Sequence, residues 1–100
     1  MKYNKLVRDN IPEIMKKHGE NPRIHIADSK EYWAKLIEKI KEESAELEAD
    51  QTLEEVADIL EVIDAICELK GFDMKEIKKY KKDKLKKRGG FKRRIILEES

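Results

Sequence analysis

Apolar residues recur at helical spacing through the middle of the chain. Trp33, Leu36, Ile37, Ile40 and Leu47 share one face of a segment running from Ser29 to about Ala49, which predicts an amphipathic helix. Asp28 or Ser29 stands where its N-cap falls. Glu43 lies at the edge of that apolar stripe, Glu46 further round and Glu42 nearly opposite, so Glu43 has the best claim to point into a packed interior. Thr52-Leu53-Glu54-Glu55 has the form of a capping box. It opens a second helix that ends near Gly71, a natural C′ residue. On this helix Leu53, Val56, Ile59, Leu60, Val62, Ile63, Ile66, Cys67 and Leu69 cover most of the circumference. A helix this apolar must be contacted on several sides. A monomer of three or four helices hardly covers it, so a dimer or larger assembly is expected. Asp64 falls between apolar positions on the same wheel, and a lone buried carboxylate needs a partner or a function.

The flanks are less regular. Residues 3–8 read as extended or irregular. Asn10 is placed to cap a short helix with Pro12 in its first turn, running to about His18 and stopped by Gly19. From Pro22 to Ala27, polar and apolar residues alternate, the period of a short strand. Asp73-Met74-Lys75-Glu76 is another capping box, starting a basic helix that reaches about Arg88, where Gly89-Gly90 ends it. Residues 91–97 read as a short strand or extended tail, with 22–27 as a candidate partner. The expected architecture is a single all-α domain over residues 1–100. It is a bundle of about three to four helices with minor β elements near residues 22–27 and 91–97, completed by oligomerisation.

Composition adds one feature that periodicity does not show. Of 100 residues 45% are charged and 39% hydrophobic, yet the formal net charge is only +1. Residues 38–68 hold twelve acids against two bases, a net of −10. Residues 75–94 hold twelve bases against two acids, a net of +10. A chain divided in this way can hold a metal ion and an anion side by side. The acidic stretch argues against a general nucleic-acid binder, which would carry an overall basic balance. Cys67 is the only cysteine, so no intrachain disulfide forms. A reducing cytoplasm is expected, with Cys67 acting as a small buried hydrophobe. No apolar run approaches the ~18 residues of a membrane span, and the N-terminal residues lack a signal-peptide core.

Two acid pairs carry the candidate chemistry. Glu43 and Glu46 are three residues apart on the first long helix, and Glu55 and Asp58 three apart on the second. Each pair shares a helix face. Two such helices side by side bring four carboxylates to one spot, which suits a divalent cation with hard oxygen ligands. Mg²⁺ takes carboxylates and substrate phosphates together, and the basic helix offers Lys84 and Arg88 as phosphate contacts. A plainer account stays open. Glu-rich helices commonly carry such spacings on solvated faces, and Glu55 has a ready role as the returning half of its capping box. Asp58 has no capping role and adjoins Ala57 and Ala65, small residues that admit another helix. His18 and His25 are not spaced as a metal pair, and Trp33 fits core or interface better than a base-stacking platform. No P-loop, dinucleotide fingerprint, zinc pattern or Ser/His/Asp set is visible.

The run Glu42-Glu43-Ser44-Ala45-Glu46 followed by Glu55-Val56-Ala57-Asp58 resembles the signature of the all-α nucleotide pyrophosphohydrolases, the MazG superfamily. The flanks Tyr3-Asn-Lys-Leu-Val-Arg-Asp9, Ile11-Pro12-Glu13, Glu54 to Ile63 and Arg88-Gly-Gly-Phe91 look like its small stand-alone branch labelled phosphoribosyl-ATP pyrophosphohydrolase-like. The resemblance spans nearly the whole chain. It implies a Mg²⁺-dependent hydrolase, with Mn²⁺ as an alternative ion. Such an enzyme cleaves the α–β phosphoanhydride of a nucleotide to a monophosphate and pyrophosphate. By carry-over, Glu43, Glu46, Glu55 and Asp58 are metal ligands, with Glu42 and Glu43 as the catalytic acids and Glu42 orienting or activating water. Only eight residues separate Glu46 from Glu55, fewer than in most members, so the turn through Asp50-Gln51-Thr52 must be tight. Glu61 and Asp64, at a more ordinary spacing, are then a second shell or ligands of a second ion. The alternative function is a non-enzymatic helical oligomerisation or interaction module.

Overall fold

A computed structural model describes residues 4–100, so Tyr3 of the N-terminal motif lies outside the described residues. Among the described residues the protein is all-α, with four helices: α1 Ile11–Lys17, α2 Ser29–Asp50, α3 Leu53–Lys70 and α4 Met74–Arg88. The chain falls into two compact units, one ending at Lys70 and the other running Gly71–Ser100.

In the first unit, α1 is brief. Pro12 sits in its first turn and Asn10 at its N-cap, although the Asn10 side chain makes no capping bond. Glu13 in the first turn and Lys16 and Lys17 in the last oppose the helix dipole favourably. Asp28, not Ser29, caps α2: its carboxylate accepts from the Glu31 N–H at 2.8 Å. The helix ends where Gln51 turns left-handed (φ 54°, ψ 40°), its N–H donating to the Leu47 carbonyl. Thr52 then opens α3, with Oγ1 accepting from the Glu55 N–H at 3.4 Å. Two residues therefore join a 22-residue helix to an 18-residue one, and α2 and α3 pack against each other as a helical hairpin.

The core of that hairpin is small. Leu36, Val62 and Cys67 are its buried apolar residues, and Glu43 is buried with them. Trp33 stays partly open, its ring stacked beneath Lys70 Nζ at 4.2 Å from the centroid, a cation–π contact between the start of α2 and the end of α3. Leu53, Val56, Leu60 and Ile63 of α3 are exposed in the single chain. Their 3-4-3 spacing forms one continuous stripe. Asp64 is exposed too, which corrects its expected burial: the wheel position is the same, but this side of α3 is open.

Neither expected β element forms. Residues 22–27 and 91–97 take part in no ladder, and there is no strand among the described residues. Ile24 and Ile26 are exposed, so the alternation of Arg23 to Ile26 has no apolar surface to cover, and without a ladder the backbone N–H and C=O groups stay with solvent. Phe91 to Arg94 closes a turn instead, the Arg94 N–H donating to the Phe91 carbonyl at 3.0 Å.

In the second unit, the Asp73 carboxylate caps α4 by accepting from the Lys75 N–H at 2.9 Å. Gly89 ends the helix at φ 80°, and no residue of α4 is buried. No helix among the described residues is long and apolar enough to cross a membrane.

Gln51 holds a conformation that glycine adopts without a Cβ penalty. Gln51→Gly is therefore expected to stabilise the chain by about 0.5 to 1 kcal/mol. Thermal unfolding checks this as a rise in Tm of a few degrees.

Candidate metal centre

Glu43 lies seven residues before the end of α2, while Glu55 and Asp58 lie in the first two turns of α3. The tight link folds these positions back on one another. One carboxylate oxygen from each of Glu43, Glu55 and Asp58 lies within 4.8 Å of the others. Glu43 is buried, with only 9% of its side chain exposed, and Glu55 and Asp58 are half-buried.

Two oxygens of this trio are orphans. Glu43 Oε2 and Glu55 Oε2 are both buried and have no hydrogen-bond partner. A buried, unpaired carboxylate oxygen is strongly unfavourable. The nearest cation to Glu43 is Lys39 Nζ, at 3.8 Å from Oε1, too far for a strong bond. Glu55 was open to a plainer role as the second half of its capping box. Thr52 Oγ1 accepts the forward bond, but the Glu55 carboxylate accepts no return bond from the Thr52 N–H among the described residues. The carboxylate is left facing the other acids.

The electrostatics agree. Burial, then Glu46, pushes the Glu43 carboxyl above the usual carboxylate range against the opposing pull of Lys39. Glu55 is also pushed up, first by burial, then by the charge of Glu46, with Asp50 and Asp58 adding to it. Glu46 is exposed and stands outside the trio, but its effect on both neighbours places it beside them. Of the four predicted ligands, then, the hairpin gathers three closely and holds the fourth alongside. Their donor set is all carboxylate oxygen, half-buried and partly unsatisfied, which fits a hard divalent cation.

Glu42 stands outside the trio but shares Lys39 with Glu43. It pairs with Lys5 at 3.0 Å and Lys39 at 3.7 Å. The hydrogen bond from Lys5 is the main cause holding its carboxyl below the usual range. Glu61 does neighbour the trio: it shares Arg8 with Asp58, at 3.4 Å and 2.8 Å respectively. Asp64 makes no ion pair among the described residues. Lys84 and Arg88 lie in the second unit, one turn apart on α4, and with Tyr80, Asp83 and Lys87 they line a shallow hollow of about 320 Å³. His25 pairs with Glu31 at 2.9 Å, and His18 Nδ1 lies 2.8 Å from the Ile14 carbonyl. Both histidines are exposed.

Two site residues went unrecognised in the sequence as site residues: Lys5 and Arg8. They stand three apart in the irregular segment before α1, which Lys35 Nζ ties to α2 by a 2.6 Å bond to the Asn4 carbonyl. The available signal was the −10 stretch itself. So dense a cluster of acids requires counter-charges, and these two cations lie outside the basic helix that drew attention.

Over 47 residues the chain is 49% identical to an uncharacterized protein of Mycolicibacterium smegmatis, a match covering 47% of this chain and 48% of that protein. The chain thus spans about half the length of the curated relative it matches. No family profile matches the chain. No solved structure matches it either.

Proposed function

We propose that this protein is a Mg²⁺-dependent nucleotide pyrophosphohydrolase of the MazG-like kind, converting a nucleoside triphosphate or related nucleotide to a monophosphate and pyrophosphate. The observation that carries this is the pair of orphaned, buried carboxylate oxygens of Glu43 and Glu55, gathered with Asp58 across a two-residue link. Folding brings like charges together there at a cost that a structural role does not explain. A site built for a cation explains it.

In this reading Glu43, Glu55 and Asp58 hold Mg²⁺, or Mn²⁺ in its place, and Glu46 completes the set. When bound, the ion supplies charge neutralisation to the phosphoanhydride and orients it. Glu42, kept ionised by Lys5, accepts a hydrogen bond from a water and aims it. A carboxylate so well paired is a weak base, so Glu42 orients the water rather than taking its proton, and Glu43 acts beside it as a ligand of the ion. Glu61 steadies Arg8 beside Asp58. The exposed stripe of α3 is the seam of a homodimer or homotetramer, and the enzyme works in the cytoplasm.

The test is pyrophosphate release from a panel of standard and modified nucleoside triphosphates and phosphoribosyl-ATP, with Mg²⁺ and with chelator. Release from at least one substrate is expected, abolished by chelation and restored by Mg²⁺ or Mn²⁺. Millimolar Mg²⁺ should also raise Tm beyond the effect of matched ionic strength. Silence across the panel, with no such shift, would favour the non-enzymatic oligomerisation module.

A further inference from the structure

The carboxylate trio has a largely exposed cation at its edge. Arg8 Nη2 lies 2.8 Å from Asp58 Oδ1, and Nη1 lies 3.4 Å from Glu61 Oε1. The Arg8 side chain is 57% exposed, so the guanidinium rests two nitrogens against α3 and shows solvent the remaining donors of its five-donor fork. An ion pair this open stabilises a fold by less than about 1 kcal/mol. Nor is Arg8 needed to hold its segment in place. Lys35 already grips the Asn4 carbonyl at 2.6 Å, and Lys5 grips Glu42 at 3.0 Å.

We propose that Arg8 is a substrate-binding residue, receiving the phosphate oxygens of a diphosphate or triphosphate chain brought to the α2–α3 carboxylates with a divalent cation. The proposal rests on the metal-centre reading above and extends it to the recognition of the anion. The trio carries three acids, so one divalent cation does not neutralise it when all are ionised. A polyphosphate approaching that spot needs further positive charge beside the ion. Asp58 is common to the trio and to the Arg8 pair, which puts the guanidinium at the site's border. A planar fork is the side chain best matched to two oxygens of one phosphate. Glu61 holds the second nitrogen and so sets the plane of the fork. Lys5, three residues earlier on the same segment, adds charge without that geometry.

Calorimetry on the full chain separates this role from a purely structural one. Mg²⁺ is titrated alone, then inorganic pyrophosphate in saturating Mg²⁺, into wild type, Arg8→Ala and Arg8→Lys. Arg8→Ala is expected to bind Mg²⁺ as tightly as wild type or more so, because a cation competing for Asp58 is gone. Its pyrophosphate affinity should fall ten- to a hundredfold, with lysine recovering only part of the loss. Parallel loss of Mg²⁺ and pyrophosphate binding, with a lowered Tm, would make Arg8 a fastening and overturn the proposal. If wild type binds Mg²⁺ but its pyrophosphate affinity is absent or indifferent to Arg8, this proposal alone falls. If wild type binds no Mg²⁺, the metal-centre reading falls and takes this one with it.

Discussion

Glu43→Gln is expected to reduce pyrophosphate release by at least about 10²- to 10³-fold, since it removes a carboxylate proposed to bind the ion. The same substitution should make the ion-free protein more stable at neutral pH. Glu43 and Glu55 both have raised carboxyl values in the folded chain, Glu43 chiefly through burial and Glu46, Glu55 through burial and the same neighbour. A carboxyl raised on folding contributes stability that is complete below its unfolded value of about 4.3. That contribution is lost as pH rises through the folded value. The wild type loses it as the carboxyls ionise with rising pH, and glutamine removes one of the repelling charges. A Tm higher than wild type by a few degrees follows, shrinking as pH is lowered towards the unfolded carboxylate range. Saturating Mg²⁺ should reverse the order, stabilising wild type and leaving Glu43→Gln nearly unmoved. Undiminished pyrophosphate release by the variant would remove Glu43 from the site.

The second large effect concerns α3. Leu53, Val56, Leu60 and Ile63 are exposed along one stripe, while the hairpin's buried apolar set is only Leu36, Val62 and Cys67. Burying one such side chain contributes about 1.5 to 3 kcal/mol, and a two-fold seam buries each one twice. Leu60 is central in the stripe. Leu60→Asp places two carboxylates, one from each copy, in the middle of that seam, where neither has a partner. The expected result is dissociation at about micromolar protein, with a Tm lower by roughly 10 °C or more. Sedimentation would show wild type at a multiple of 11.8 kDa and the variant at the monomer mass. A wild type that sediments as a monomer at the same concentration would remove the seam.

The helical frame was legible because its signals are local. Asp28, Thr52 and Asp73 cap helices by bonding to N–H groups two or three residues on, and Gly71 and Gly89 adopt positive φ where helices stop. The inward bias of Glu43 was also legible, because a wheel angle at the edge of an apolar stripe survives into the packed hairpin. What failed was whatever depended on a distant partner. The alternation at Arg23 to Ile26 is a local pattern, but a strand exists only with a ladder. Asp64 had the angle of a buried residue, yet the surface that would bury it is not part of this chain's own packing. Arg8 reaches Asp58 across fifty positions of sequence from a segment with no periodicity, so no spacing announced the contact. Glu55 was ambiguous between cap and ligand until its orphaned oxygen showed that only the backbone half of the box is in use.

In the proposed metal centre, the two-residue connection at Gln51-Thr52 makes the carboxylate cluster a chelator assembled by the chain itself. All three close ligands fall within sixteen consecutive positions, from Glu43 to Asp58. Packing of α2 against α3 therefore orders donors that would otherwise have to be ordered when an ion binds. The entropy of gathering the ligands, like their mutual repulsion, is charged to folding. In the proposed function an arriving ion meets donors already converged and returns part of that free energy by relieving their repulsion, so the charges that raise ion affinity lower the stability of the ion-free hairpin.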